Sequence, residues 1–408
     1  MNPRSVILIS ERFGHIGGGE AIKAQQYADF LLARGFDLRV ITAERSKTEL
    51  GARIPDENLI LIPDTWFQKW LWRVPVLRKF LGLYFQVRAR QVVLKQTDMK
   101  TRPILHYISP VSPVELRFPP RGYDTVMGPL TGNIYYPPGF RHRMSRSEKT
   151  REALHGLAQT VFGRILGNKK NVDVFLVSGY ERTRASLRMA GCDDARMIDV
   201  VDSGVSDKLA TLPRIGHSGE NYRFLCAARM VDYKGVDLAI RAVAVADPRV
   251  VLSIYGDGQM RPKLAALVAD LGLADRVTFH GWIHNDDLIA RLHRYRGYIM
   301  PSLAEANGII MQETMMAGLP VVAFRWGGPG MLADETSAIY LEPATEADAV
   351  RDIAAAMNRL AVDDAYAEGI SVRARDIAMA RFTWDAAATS WLKSYDRRLD
   401  KVPSTEAG

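Results

Sequence analysis

The chain has 408 residues, with 54 Lys and Arg against 46 Asp and Glu, a formal net charge of +8 and a 47% apolar share, which is ordinary for a soluble globular protein. The length predicts two domains, and no apolar run approaches the roughly 20 residues of a membrane-spanning helix. Two cysteines, Cys192 and Cys226, supply neither a disulfide framework nor a metal cluster and fit a reducing cytoplasm.

The chain opens on a short apolar run at residues 6–10, too short for the secretory core of about 7–15 residues. The expectation is a protein neither exported nor integral. Gly17-Gly18-Gly19-Glu20 follows as a glycine loop leading into a helix over 20–34. Further strands are predicted at 38–42, 104–108, 124–128 and 174–178. Together they predict a first domain over residues 1–203.

Charge is placed unevenly. Residues 1–200 carry 31 basic and 19 acidic side chains, and residues 201–408 carry 23 and 27. The surplus points to an acidic partner for the first half. Its most basic and aromatic part runs from Trp66 to Lys100, with Asp98 as its one acid. That mixture suits an interfacial helix on an anionic membrane, or else charged helices whose aromatics enter the core. A second basic stretch covers 141–170. Nucleic acid is the weaker partner, since no helix-turn-helix, RNA-recognition or zinc signature accompanies the charge.

Residues 209–220 read as a linker. Beyond it strands and helices alternate. A strand over 222–228 ends at Arg229, Lys234 follows, and a helix is predicted at 236–246. A buried strand over 250–255 runs into Gly256-Asp257-Gly258 and a helix over 260–271. The next strand ends in Phe279-His280-Gly281-Trp282. The alternation implies a parallel sheet with helices on both faces and ligands at the strands' carboxyl ends.

The stretch from Glu305 to Glu313 carries the most chemistry. Asn307 is a good helix N-cap, because its side-chain oxygen can accept from the first-turn N–H groups. Gly308 permits close backbone approach, and the N–H groups of Gly308, Ile309 and Ile310 form a ready phosphate site. Gly318 and Pro320 end the helix. Glu305 and Glu313 can accept from sugar or ribose hydroxyls. Arg229 and Lys234 can converge on a diphosphate, the first bidentately and the second as a point charge. The plain alternative is a surface Arg and Lys with two solvated glutamates.

These motifs, in this order, resemble the family-4 retaining glycosyltransferases (glycosyltransferase group 1) of bacterial polysaccharide assembly. Arg229, Lys234, Gly256-Asp257-Gly258, Phe279-His280-Gly281-Trp282, Glu305 and Glu313 with seven residues between, Gly318-Leu319-Pro320, Gly327-Gly328 and Phe382-Thr383-Trp384 carry the likeness, and Gly17-Gly18-Gly19-Glu20 resembles the family's first glycine loop. The chain departs from the pattern at Asn307, where Phe is frequent, and at Thr314, where Ala is usual. The segment from Val126 to Asn133 lacks the histidine that many members carry there.

The resemblance implies an α/β protein of the GT-B fold. Two Rossmann-like parallel-sheet domains would face each other across a cleft, an acceptor-binding domain over 1–203 and a nucleotide-sugar-binding domain over 204–380, with a helix in 381–400 crossing back to the first. It implies transfer of a hexose from a UDP- or GDP-sugar to an acceptor hydroxyl with retention. Arg229, Lys234 and Glu305 would be catalytic. Gly18, Gly19, Gly256, Gly281, Trp282, Ile283, Asn307, Gly308, Ile309, Ile310 and Glu313 would bind the donor, with the ribose on Glu313. His106, Thr131, Gly132 and Asn133 are candidates for the acceptor side. His15 and His280 more readily serve packing than chemistry.

No metal or cofactor is expected, and no Asp-x-Asp occurs in the chain. The acceptor suggested by charge and family habit is a lipid-linked saccharide at the inner face of the cytoplasmic membrane. The main rival is a non-catalytic nucleotide-sugar or nucleic-acid binding protein on the same fold. A phosphorylase lacks its pyridoxal lysine motif here, and a dinucleotide dehydrogenase would need a third glycine after Gly256-Asp257-Gly258.

Overall fold

The computed structural model describes residues 5–15, 19–49, 54–66, 79–96, 103–166, 169–342 and 344–396. Part of the basic aromatic segment, residues 67–78 and 97–100, lies outside them, as does Gly18. The chain divides into two compact units. Unit 1 comprises 1–133, 151–202 and 387–408, and unit 2 comprises 134–150 and 203–386.

Unit 1 is built on seven parallel strands, β1 (Ser5–Ile9), β2 (Asp37–Ala43), β3 (Leu59–Ile62), β4 (Ile104–Tyr107), β5 (Asp124–Leu130), β6 (Val174–Val177) and β7 (Met197–Asp199), in the spatial order β3-β2-β1-β4-β5-β6-β7. The runs are dense in Val, Ile and Leu because a parallel sheet covered on both faces excludes water from every position. β1, β4 and β6 are accordingly buried almost throughout. Five of these strands coincide with the expected runs. β3 and β7 were not anticipated; they are short strands of four and three residues at the two edges of the sheet.

The helix Gly19–Ala33 packs beside the sheet through Ala21, Ala24, Tyr27, Ala28 and Leu31. The helix Lys79–Gln96 sends Phe85, Ala89 and Val93 into the core and leaves Arg88, Arg90 and Leu94 exposed. Its aromatic Phe85 is thus core rather than interface. Residues 387–396 also count with unit 1. Trp391 is fully buried, donates its indole N–H to the Val201 carbonyl at 2.9 Å and packs on the Tyr27 ring.

Unit 2 holds six parallel strands, β8 (Arg223–Ala227), β9 (Val251–Tyr255), β10 (Val277–Gly281), β11 (Gly297–Met300), β12 (Val321–Phe324) and β13 (Ile339–Leu341), in the order β10-β9-β8-β11-β12-β13. Both sheets reverse their strand order beside their first strand, the place where such sheets open a crevice for ligands. Residues 134–150, expected in the first domain, group with unit 2. Tyr136, Phe140 and Met144 are buried in its core, and Arg143 pairs with Asp237 at 2.8 Å. Aromatic burial, not position along the chain, decides their membership.

At the carboxyl end of the unit 2 sheet, Gly256 follows β9 with φ 118°, and a Cβ there would stand 2.0 Å from the Ala228 carbonyl oxygen. The loops after β8 and β9 are further joined by Met230 N–H donating to Asp257 O at 2.8 Å. Gly256→Ala should therefore destabilise unit 2 by roughly 2–3 kcal/mol, read by urea unfolding without nucleotide. An unchanged midpoint would show that the close approach carries no stability.

His106, the first acceptor-side candidate, lies fully buried in unit 1. Its Nε2–H donates to the Gly128 carbonyl at 2.8 Å, and its Nδ1 accepts from the Tyr395 hydroxyl at 2.7 Å. Both ring nitrogens are used, so the neutral imidazole is a packing bridge. This corrects its assignment to the acceptor. Burial pushes its pKa down to about 4, against the opposing pull of the Gly128 carbonyl.

The unfolded imidazole titrates near 6.5, so below that pH the unfolded state binds the proton first. The stability tied to His106 is complete above about 6.5 and is lost as pH falls toward about 4, by on the order of 3 kcal/mol. His155, His217 and His280 shift in the same direction. The expected outcome is a stability difference: wild type should fall more steeply than His106→Gln across that window in unfolding titrations. Parallel slopes would remove His106 from the pH response.

Candidate active site

The functional candidates of unit 2 sit on loops that leave the carboxyl ends of its strands. Arg229 lies two residues beyond β8, and its guanidinium donates to the Tyr233 hydroxyl. The chain then makes a short 3-10 turn, Asp232–Lys234, before the helix Val236–Val245. The Lys234 ammonium forms an ion pair with the Glu305 carboxylate, and both side chains are largely buried. Two residues expected to act on the donor are thus already in contact across 71 positions of sequence.

Glu305 lies in the loop after β11. Its backbone carbonyl accepts from Gly328 N–H at 3.0 Å, and its Oε1 accepts from Ala306 N–H at 3.2 Å. The helix of this region spans Ile309–Ala317, with Gly308 as its N-cap at φ 73° and no side-chain cap. Asn307 is therefore not the cap. Its Nδ2 donates to Ser203 Oγ at 3.2 Å, and its Oδ1 accepts from Gln312 Nε2 at 3.1 Å. One distant partner, Ser203, and one on the adjoining helix, Gln312, outcompete the local propensity of Asn for a cap. At the far end Gly318 closes the helix at φ 81°, as its sequence position predicts.

Ile309 and Ile310 open the helix, where first-turn N–H groups have no intrahelical acceptor. Glu313 follows one turn later with only 7% of its surface exposed. Burial raises its pKa, and a hydrogen bond of 2.7 Å from Asn285 Nδ2 to Oε1 opposes the rise. Asn285 is a partner that pattern reading missed. It lies 28 residues away at the start of the helix Asn285–Ile289, and nothing local marks it.

These side chains line one pocket of about 610 Å³. Arg229, Gly256, Trp282, Ile283, Ile309, Ile310 and Glu313 border it, together with Asp257 and Tyr255. Its size is in the range of small-molecule sites. Gly281, Asn307, Gly308, Lys234 and Glu305 are not part of its lining but lie at the strand end, turn and loops that adjoin it. Gly281 ends β10 at φ 75°, where no neighbour crowds its missing Cβ. Conformation alone explains that glycine. A smaller hollow of about 340 Å³ adjoins and shares Tyr255, Trp282 and Ile283. There the Tyr255 and His280 rings stack, with centroids 4.5 Å apart, and Trp282 is 68% exposed.

In unit 1, Gly19 begins the first helix and has open space where a Cβ would stand. The Thr131 N–H donates to Val111 O at 3.0 Å, Gly132 O accepts from Thr183 Oγ1 at 2.9 Å, and Asn133 at φ 57° donates to Ser186 Oγ at 3.1 Å. The loop is ordered by its own bonds. Among the described residues no group of His, Cys, Asp and Glu is arranged to hold a metal ion, and no helix is long and apolar enough to cross a membrane.

Comparison with known proteins agrees with this architecture. Residues 221–363 match the family described as Glycosyl transferases group 1. The GDP-mannose-dependent alpha-(1-6)-phosphatidylinositol monomannoside mannosyltransferase of Mycobacterium tuberculosis is 27% identical over 275 residues, 61% of this chain and 69% of that one. The lipopolysaccharide core biosynthesis glycosyltransferase LpsD of Rhizobium meliloti is 32% identical over 174 residues, 42% of this chain and 49% of that one. The alignment thus spans about half of that relative. The crystal structure of Anabaena HepE in complex with UDP and glucose superimposes with a TM-score of 0.60 at 15% identity, over 98% of this chain and 100% of that one. At that identity the likeness concerns the fold. The chain therefore carries a glycosyl transferase group 1 domain within a two-domain GT-B architecture.

Proposed function

We propose that the protein transfers a hexose from a UDP- or GDP-sugar to an acceptor hydroxyl, with retention and without a metal ion. The observation that carries the reading is the unit 2 pocket, where a guanidinium, a helix start and a buried carboxylate border one space of nucleotide size. Two similar proteins support the donor class. The mycobacterial relative is described as GDP-mannose-dependent, and the Anabaena structure holds UDP and glucose.

In this reading the bond from the anomeric carbon to the β-phosphate oxygen breaks. A bond from that carbon to the acceptor oxygen forms on the same face, and the acceptor proton passes to the leaving phosphate oxygen. Negative charge then grows on the diphosphate. Arg229, Lys234 and the N–H groups of Ile309 and Ile310 meet it. Preorganised donors of this kind contribute about 3–4 kcal/mol each. Lys234 would bridge the phosphate and the Glu305 carboxylate, leaving Glu305 to accept from a hydroxyl of the transferred sugar. Glu313 would take the ribose hydroxyls.

The proposed acceptor is a lipid-linked saccharide of polysaccharide or lipopolysaccharide assembly, met at the cytoplasmic face of an anionic membrane. The helix Arg146–Gln159 and the wide turn after it support this. They expose Leu154, Leu157, Ile165 and Leu166 beside Lys149, Arg151 and Arg164. Apolar side chains ringed by basic ones suit insertion among anionic headgroups. Vesicles rich in anionic lipid should retain the protein at low salt, and Leu154→Ser with Leu157→Ser should release most of it. Wild type that fails to sediment with them would end this part of the reading.

Thermal shifts with UDP, GDP, ADP and their hexose conjugates test the donor, because a ligand that binds only the folded state stabilises it. One diphosphate series should stand out, and its sugar conjugate should release nucleoside diphosphate on turnover. Binding without release would instead favour a nucleotide-sugar binding protein. Glu313→Ala should weaken nucleotide binding by roughly 1.5–3 kcal/mol. Arg229→Ala should lower turnover by about 10²–10³. Wild-type kinetics in both variants would refute the site.

A further inference from the structure

The segment 134–150 does more than fill the core of unit 2. Residues 134–143 reach both loops that carry the Lys234–Glu305 pair. Tyr135-Tyr136-Pro137-Pro138-Gly139-Phe140 stands near its start. Two consecutive prolines fix φ and leave the backbone little freedom, and Pro137 sits at φ −56° and ψ 154°. A short 3-10 turn, Pro138–Arg143, follows. Phe140 is fully buried, its ring centroid 6.0 Å from that of Phe324. A Cβ on Gly139 would overlap the Ala344 carbonyl. The segment is therefore a stiff strap pressed onto unit 2.

On one side the strap grips the turn that carries Lys234. The Tyr136 hydroxyl donates to Asp232 Oδ2 at 3.1 Å, and Arg143 Nη2 donates to Asp232 Oδ1 at 3.3 Å. The strap thus engages both oxygens of that carboxylate. Arg143 Nη2 also donates to Asp237 Oδ1 at 2.8 Å. Asp232 opens the turn Asp232–Lys234, and Asp237 lies in the first turn of the helix Val236–Val245. One guanidinium therefore closes a bracket around Lys234.

On the other side the strap meets the loop after β12. Trp326 donates its indole N–H to the Tyr135 carbonyl at 2.7 Å. Gly327, at φ 64°, lies between the Glu305 carbonyl and the Ile134 side chain, with no room for a Cβ. Gly328 N–H then donates to that Glu305 carbonyl at 3.0 Å. The cation and the carboxylate of the pair come from separate loops, 71 positions apart, and the strap is joined to both.

Burial of Tyr136, Phe140 and Met144 already holds the strap in the core. The Tyr136 hydroxyl and the Arg143 guanidinium add little to that burial. What they add is a fixed direction for the turn. Burial raises the Tyr136 pKa and the Asp232 charge raises it further, so the hydroxyl keeps its proton for this bond.

We propose that Tyr136, Arg143 and Trp326 are positioning residues, which set the Lys234 ammonium and the Glu305 carboxylate at one separation before a donor binds. A misplacement of about 1 Å in such a group costs roughly a hundredfold in rate. That the pair acts on a diphosphate rests on the transferase reading above, whereas the positioning rests on unit 2 alone.

Lysine acylation of the full chain, read residue by residue by mass spectrometry, tests the positioning without nucleotide. An amine engaged by a carboxylate is shielded from the reagent, so loosening the pair exposes Lys234. Tyr136→Phe and Trp326→Phe each remove one hydrogen bond and keep a ring. Each should speed labelling of Lys234 by roughly threefold or more, with the exposed Lys263 and the buried Lys23 unchanged. Arg143→Lys, which offers a point charge in place of the fork, replaces Trp326→Phe if that variant does not fold.

Turnover supplies a second readout, with the sugar conjugate of the nucleotide that gives the largest thermal shift. Tyr136→Phe should lower kcat by roughly tenfold, the scale of one hydrogen bond to a charged group, and change KM less. In a Lys234→Ala background the same substitution should lower kcat no further, whereas a merely structural loss would persist there. Unchanged labelling of Lys234 in both variants would overturn the proposal, as would an equal fall in turnover with and without Lys234. If wild type releases no nucleoside diphosphate from any conjugate, the transferase reading fails separately, and the labelling still judges the strap.

Discussion

Close contact between strand-end loops of unit 2 is the constraint on which the candidate site depends. A side chain projecting from a loop holds its position only if the loop backbone is held. Here Gly256 lies against the Ala228 carbonyl, and Gly328 lies against the Ala306 carbonyl, where a Cβ would stand 2.0 Å from the oxygen. Hydrogen bonds run along the same seams, from Met230 N–H to Asp257 O, from Leu303 N–H to Tyr233 O and from Gly328 N–H to Glu305 O. The loops after β8, β9, β11 and β12 become one layer. Arg229, Lys234, Glu305 and the start of the helix Ile309–Ala317 all ride on it.

Electrostatics then finishes what packing begins. The Lys234–Glu305 pair is shielded from water on both sides. Removing one partner would strand the other charge, the costly way to break a buried pair. The pair thus keeps a cation and a carboxylate in place before any ligand arrives. Glu313 is handled differently. Burial disfavours its charge, and a single amide from Asn285 restrains that effect. One carboxylate is held by an ion and the other by a neutral donor, so the two need not respond alike to an incoming diphosphate.

Much of this was legible in the order of residues. The buried strands announce themselves because a covered parallel sheet demands unbroken apolar runs, as at Val174–Val177 and Val321–Phe324. Gly318 reads as a helix end because few other residues reach its conformation cheaply. Legibility failed wherever a distant partner decides the outcome. Asn307 has the local chemistry of a cap, yet Ser203, 104 residues away, takes its amide nitrogen. His106 reads as a strand-end histidine, more often structural but a candidate for the acceptor side, and only the fold shows that Tyr395, 289 residues away, takes one ring nitrogen.

The pattern of apolar runs, glycine turns and spaced charges alone decides that this chain makes two parallel sheets and places Arg229, Lys234, Glu305 and Glu313 near strand ends. Those features follow from local sterics and from hydrophobic periodicity, both of which act over a few residues. Only the tertiary structure decides that Lys234 meets Glu305, that Asn285 meets Glu313, and that residues 134–150 join the second core. Such outcomes depend on which groups share a small volume once water has left it, and no short window of sequence contains that information.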